Sequence, residues 1–498
     1  MVACYAYLTQ AAYAHMYQLF VTKTLTPTLK FTPQSRPQCV QRMTASLLSL
    51  SAELKLNIIE QLNHTSTSFI PAPSTELLNL SRVCKSLRII ALPYLFKSIT
   101  LLNDAESGSS VLAILNSPYV EHVRSVHYIG VMAMAESPDM TVAPPKKPVP
   151  EHLPDAVEHV LSNLAKFSNL ERVVVEFRCA KTADEDDEIH RSSYDIFEEL
   201  EESEQVLEAE KNDAFRALVK RSYDALARNP VGTIRTLEMR NVVAKDCSAW
   251  KSHEFSTLLG GLAEYTLLLR GGDNGAGWQV NKVPAYLCFI ESLDSRFFQH
   301  FDKLKRFRFE ATEDGPPGLD GGMNNARLGL REDTMHALET LELKHVFISK
   351  ELATFIASHS SRLKSVRLDK CYSGLDSNNC ADEEHATSWG MFFSSIAEQA
   401  NFEIQEFDVG ISDLESIQPQ DLGEGAYRYG QAVQAKELRE QYPGRRMFDY
   451  KHVDDKYGML FDSEDLAFER FEDGTDHAGW EQLCAVFKKI NVERDRQQ

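Results

Sequence analysis

From residue 170 onward one apolar phrase recurs. Leu170, Val173 and Val175; Ile234, Leu237 and Met239; Leu304, Phe307 and Phe309; Leu338, Leu341 and Leu343; Leu363, Val366 and Leu368; and Ile404, Phe407 and Val409 all stand in the frame LxxLxL. The last two apolar positions are two residues apart, so they point to one side of a short strand, while the first lies on the turn into it. Each phrase predicts one strand with a buried face. Helical patterns separate the phrases, at Ala214 to Leu226, Leu287 to Phe298, Leu352 to Ala357 and Trp389 to Ala397. Strand and helix in alternation predict parallel strands joined by helical crossovers, an α/β fold.

The first frame positions, 170, 234, 304, 338, 363 and 404, are separated by 64, 70, 34, 25 and 41 residues. Only the interval of 25 falls in the range of roughly 20 to 29 of a leucine-rich repeat. The array therefore resembles an irregular leucine-rich-repeat solenoid with long insertions or with repeats outside the strict pattern, such as LAEYTLLLRG around Leu267. Cys371 takes the place where such a repeat wants Asn or Cys to bond the turn backbone.

Upstream the period is helical. Leu54, Ile58 and Leu62 recur at spacing four behind Ser51, a plausible N-cap, with Glu53 in the first turn. After Pro71 and Pro73, Ser74 can cap a second helix with a stripe of Leu77, Leu80, Cys84, Leu87 and Ala91, which Pro93 should stop. Leu78, Val83, Ile89, Ile90 and Leu92 lie off that stripe, so the helix needs cover on several sides. A module of this size carries more apolar surface than its short helices can bury between themselves. It wants a partner, either another protein or the rest of its own chain.

Residues 1–52 hold no Asp or Glu but do hold Lys23, Lys30, Arg36 and Arg42. That leader fits a transit peptide or a dispensable extension before Met43; the Pro and Arg residues at 33–37 argue against a long amphipathic helix. Over all 498 residues, 53 Lys and Arg face 73 Asp and Glu, a net charge of −20 that disfavours nucleic acid as a partner. Residues 184–210 carry 13 of those acids against Arg191 alone, a solvated insertion or a docking surface for a basic partner. Pro138 to Pro150 reads as an extended linker. No apolar run approaches a membrane span, and the nine cysteines, without a CxxC pair, fit a reducing compartment, cytoplasmic or nuclear.

The search for catalysis is negative: no GxSxG, HExxH or GxxxxGK[ST] occurs. Gly271 to Trp278 lacks the lysine of a phosphate loop and reads as a flexible turn. Cys371, Cys380 and His385 are too widely spaced for a common zinc knuckle. Asn63-His64-Thr65 matches a glycosylation sequon, which has no meaning in those compartments. No catalytic residue, metal or cofactor is expected.

The stretch LLSLSAELKLNIIEQL, followed by ELLNLSRVCKSLRIIALPYLFKSITL, resembles the F-box motif in the form common among large fungal families of F-box proteins. It departs from the motif at Leu50-Ser51, where Leu-Pro is usual, and at Leu87, where tryptophan is common. The resemblance implies a small helical trio that packs against the adaptor subunit of an SCF ubiquitin ligase and, through it, a cullin. Carried over by position, it implies an adaptor surface of Leu48, Leu50, Glu53, Leu54, Ile58, Ile59 and Leu62, then Leu78, Leu80, Val83, Cys84, Lys85 and Leu87. The repeats would hold an unknown target protein, and the chain itself would do no chemistry. The expected layout is an extension at 1–42, an F-box-like module at 43–101, a repeat domain at 102–411 and a C-terminal extension or cap at 412–498. The alternative is a leucine-rich-repeat scaffold that acts outside any ubiquitin ligase.

Overall fold

The computed structural model describes residues 51–64, 75–133, 153–180, 202–271, 278–319, 326–375, 387–398, 403–410, 412–416, 422, 428–454 and 456–497. Compactness divides the chain after Leu54. In the first unit, the backbone N–H of Leu54 donates to Ser51 Oγ at 3.4 Å, as an N-cap should. The second unit holds every strand found among the described residues.

The strands are β1 (Ser98–Leu102), β2 (Ser125–Ala133), β3 (Arg172–Ala180), β4 (Thr236–Val242), β5 (Glu264–Leu269), β6 (Arg306–Glu310), β7 (Thr340–Lys344), β8 (Ser365–Asp369), β9 (Ser373–Leu375), β10 (Glu406–Val409), β11 (Tyr450–Val453) and β12 (Leu460–Asp462). Nine form one parallel sheet in the order β1-β2-β3-β4-β5-β6-β7-β8-β10, each beside the next of that sheet in sequence. All six expected strands are present, and LAEYTLLLRG supplies β5. The frame also sets the register. Ile99, Val126, Val173, Leu237, Tyr265, Phe307, Leu341, Val366 and Phe407 lie in one row across the sheet. Leu101, Tyr128, Val175, Met239, Leu267, Phe309, Leu343, Leu368 and Val409 make the second row, all buried.

A repeated backbone bond fixes that alignment. At most steps, two successive N–H groups at the entry to a strand donate to the carbonyl one residue ahead of the strand before. Lys305 and Arg306 donate to Ala263, Glu339 and Thr340 to Lys305, and Lys364 and Ser365 to Glu339, all at 2.8–3.2 Å. A slip by one residue would break these bonds and turn the buried rows outward. Helices cover the buried face, among them Ala214–Ala227, His253–Gly260, Pro284–Glu291, Lys350–His359 and Trp389–Ala397, whose Tyr223, Phe255, Phe289, Phe355 and Phe392 join the core. Cys371 plays its expected part: its buried thiol donates to the carbonyls of Leu343 and Asp369 at 3.7 and 3.6 Å.

Five strands lay outside the expected set, β1 and β2 in the large sheet and all three of the small one, β9, β11 and β12. β1 places Ser98 in the sheet, so the boundary drawn at 101 falls inside a strand, and the N-terminal helices end at Leu95. The C-terminal residues are likewise knitted in, because β11 pairs with β9 on one side and β12 on the other. The last helix, Thr475–Gln497, packs on Trp389–Ala397. A Cβ on Gly479 would lie 2.4 Å from the Gly390 carbonyl, so that close crossing requires glycine. Trp480 and Phe487 lie beside Phe407 of the last strand, at 6.4 and 6.1 Å between ring centres.

Of the acidic stretch, 184–201 lies outside the described residues. Its end is helical from Ser203, and Glu210 is buried, accepting from the Ser248 backbone N–H at 2.7 Å and the Ser248 hydroxyl. The 1–50 leader, the 138–150 linker, the glycines at 272–276, Cys380 and His385 also lie outside them.

Candidate functional site

Among the described residues three helices precede the sheet: α1 (Ala52–His64), α2 (Thr75–Val83) and α3 (Lys85–Leu95). The single second helix expected from the stripe is two helices. Cys84, extended at φ −159° and ψ 166°, breaks it, and the bend is held by Arg88 Nε donating to the Ser81 carbonyl at 3.1 Å. Pro93 does not stop α3. The N–H it lacks would have bonded the carbonyl of Ile89, an exposed residue whose carbonyl water can satisfy, and the helix closes two residues later with Phe96 N–H donating to Leu92 at 3.0 Å.

The break sorts the side chains. Ile59, Leu77 and Ala91 form a small buried core, with Leu80, Ile90, Tyr94 and Leu95 packed against it, and Leu87 is buried as well. Outside remain Leu56, Leu78, Val83 and Ile89, at 37%, 36%, 63% and 68% exposure. Each would gain roughly 1 to 2 kcal/mol by leaving water, at about 25 cal/mol per Å² of apolar surface. Leu78 and Arg82 are four residues apart on α2, and Lys85 and Ile89 four apart on α3, so each pair shares a face. Val83 stands at the bend between them.

The residues carried over by position therefore divide. Leu78, Val83 and Lys85 are exposed; Ile58, Leu80 and Cys84 are half-buried; Ile59 belongs to the core of the trio, and Leu87 is buried. Leu48, Leu50 and the Leu62 side chain lie outside what is described. In the first unit, Leu54 and Glu53 are exposed, and hydrogen bonds from its own backbone N–H and the Ser51 hydroxyl hold the Glu53 carboxyl below its usual range. Leu56 and Ile89 were not among the expected contacts. Ile89 became legible only once the break at Cys84 separated its face from that of Leu87 and Ala91.

The second face of the sheet is polar. His127 Nε2 meets Glu176 Oε2 at 2.9 Å, both buried, and Arg178 also bonds Glu176. Burial acts to raise the Glu176 carboxyl, but bonds from His127 and Arg178, with their charges, outweigh it and bring it to about 2. Arg172 and Arg240 both pair with Glu238, Arg308 and Lys344 meet Glu310 at 2.9 and 2.7 Å, and Arg367 reaches Asp408 at 3.7 Å. Toward β8 and β10 this face opens to solvent, with Arg308, Arg367 and Asp408 exposed.

Among the described residues no three His, Cys, Asp or Glu side chains gather as metal ligands would, and no helix is long and apolar enough to cross a membrane. No protein-family model matches the chain, and no curated protein matches it.

Proposed function

We propose that the chain is a substrate-recognition adaptor of an SCF-type ubiquitin ligase, with α1 to α3 as an F-box-like module and the sheet and its helices as a leucine-rich-repeat-like solenoid. The observation that carries this reading is the set of large apolar side chains, Leu56, Leu78, Val83 and Ile89, left exposed by three helices that already have a core of their own. Such a surface is suited to the ligase adaptor, while the open end of the polar sheet face is offered to a target protein. The chain does no chemistry: holding the target's lysine near the charged thioester replaces a bimolecular encounter with a local one. The free cysteines, Cys84, Cys247, Cys288, Cys371 and Cys484, accord with a cytoplasmic or nuclear setting.

The test is co-purification of the adaptor and a cullin with the intact tagged chain, with the Leu78→Ala/Val83→Ala double variant as control. Recovery with the parent chain and its loss with the variant supports the reading; equal recovery of both contradicts the assigned surface.

A second reading, a scaffold whose helical head only closes the end of the array, is favoured by the stacking of Phe96 on Tyr119, which ties the head to its own body. It predicts that no ligase subunit co-purifies, and that a chain lacking the head aggregates.

A further inference from the structure

Residues 75–97 carry Arg82, Lys85, Arg88 and Lys97 against the single acid Glu76, in a chain whose net charge is −20. All four cations are exposed. Their surroundings differ from those on the sheet, where Arg172, Arg178, Arg240, Arg308, Lys344 and Arg367 each have a carboxylate at hand. Among the described residues, no carboxylate lies within ion-pair distance of Arg82, Lys85, Arg88 or Lys97; the one side-chain bond among them runs from Arg88 to the Ser81 carbonyl. Helical spacing sets two of these charges beside the apolar anchors, Arg82 one turn beyond Leu78 and Lys85 one turn before Ile89, with Val83 between.

We infer that this face takes a protein partner whose apolar groove is rimmed by acidic side chains, so that the head is recognised by charge as well as by burial. The inference rests on the proposed docking role and identifies the chemistry of the docked surface. Exposed cations around a desolvated apolar centre steer an acidic partner to the head and leave neutral or basic partners unattracted. The acidic remainder of the chain repels that same partner, which restricts encounter to the head. A partner with an apolar groove alone would have no use for Arg82 and Lys85, and an anion lacking one would leave Val83 and Ile89 in water.

The experiment measures binding of the SCF adaptor to the intact chain, by fluorescence anisotropy, from about 50 to about 500 mM NaCl. The variants are Arg82→Glu/Lys85→Glu/Arg88→Glu, Val83→Ala/Ile89→Ala and the parent; thermal unfolding checks that each is folded. The inference expects parent affinity to fall about tenfold or more across that range, and the charge reversal to weaken binding by a similar factor at low salt. Reversing acidic residues on the adaptor's rim should restore binding to the charge-reversed chain. Tight binding that ignores both salt and charge reversal overturns the inference and leaves the docking role standing. No binding of the parent at any salt removes the docking role and the inference together. Salt-dependent self-association of the chain, or capture by phosphatidylserine vesicles in place of the adaptor, overturns the choice of partner.

Discussion

The ring of Phe96 lies flat on that of Tyr119, centroids 4.8 Å apart and planes within 6°. Phe96 closes α3 and Tyr119 belongs to the short turn Pro118–His122 that leads toward β2, so the stack is a rivet between the helical head and the sheet. Neither ring is fully buried. Phe96→Ala should therefore cost about 1 kcal/mol, the worth of an aromatic pair, and loosen the head without unfolding the sheet. Limited proteolysis should cut the variant faster near α3 while the 236–369 region stays resistant. Equal protection of both regions in the variant would show that the stack is not what holds the head.

Burial divides the apolar residues of the head into two kinds, with opposite expected behaviour. Leu87→Ala removes a buried side chain and should destabilise the head by about 2 to 5 kcal/mol. Val83→Ala and Ile89→Ala change exposed positions and should stay within about 0.5 kcal/mol of the parent. Chemical denaturation followed by a probe in the head would separate them; a large loss from Val83→Ala would mean that it is covered in solution.

Glu176 makes stability fall in acid. Its folded carboxyl sits at about 2, well under the usual 4.5, so its bonds to His127 and Arg178 stabilise the fold above the usual value. That contribution is lost as pH drops through the window between them. Glu176→Gln should lower the melting temperature at neutral pH and flatten its decline from about pH 4.5 to about pH 2. An unchanged acid limb would show that the pair contributes nothing.

Asp449 should act in the other direction. Burial raises its carboxyl to about 6, the Ser412 hydroxyl bond opposing and the Asp413 charge adding to the rise. The folded chain then prefers the protonated form, so stability held below about pH 4 is given up as pH rises through 6. Asp449→Asn should lift the melting temperature at pH 7 more than at pH 4. A gain of equal size at both values would remove Asp449 as the source of the pH dependence.

The sheet was readable because its frame is a packing rule: Leu341 and Leu343 recur as Val366 and Leu368 since both pairs fill the same two rows. β1 and β2 keep that rule as Phe96, Ile99, Leu101 and as Val123, Val126, Tyr128, but the first begins on a ring that stacks in the head and the second ends in tyrosine. The three-stranded sheet was not legible. Its strands are three or four residues long, and β11 and β12 meet through Lys451 and Asp462, an ion pair at 2.7 Å that no apolar alternation announces. The outward face of the head was legible only as excess. The residues from Leu77 to Ala91 showed too much apolar surface for one helix, yet only the extended backbone at Cys84 decides that Leu87 turns in and Ile89 turns out.

The central claim is that the outward face of the head, from Leu78 to Ile89, is where the ligase adaptor sits. Amide hydrogen exchange of the intact chain, with and without saturating adaptor, tests it most directly. The account predicts slowed exchange across Leu78–Ile89 and no change in β6 to β8. Exchange in the head that is identical with and without adaptor would contradict it.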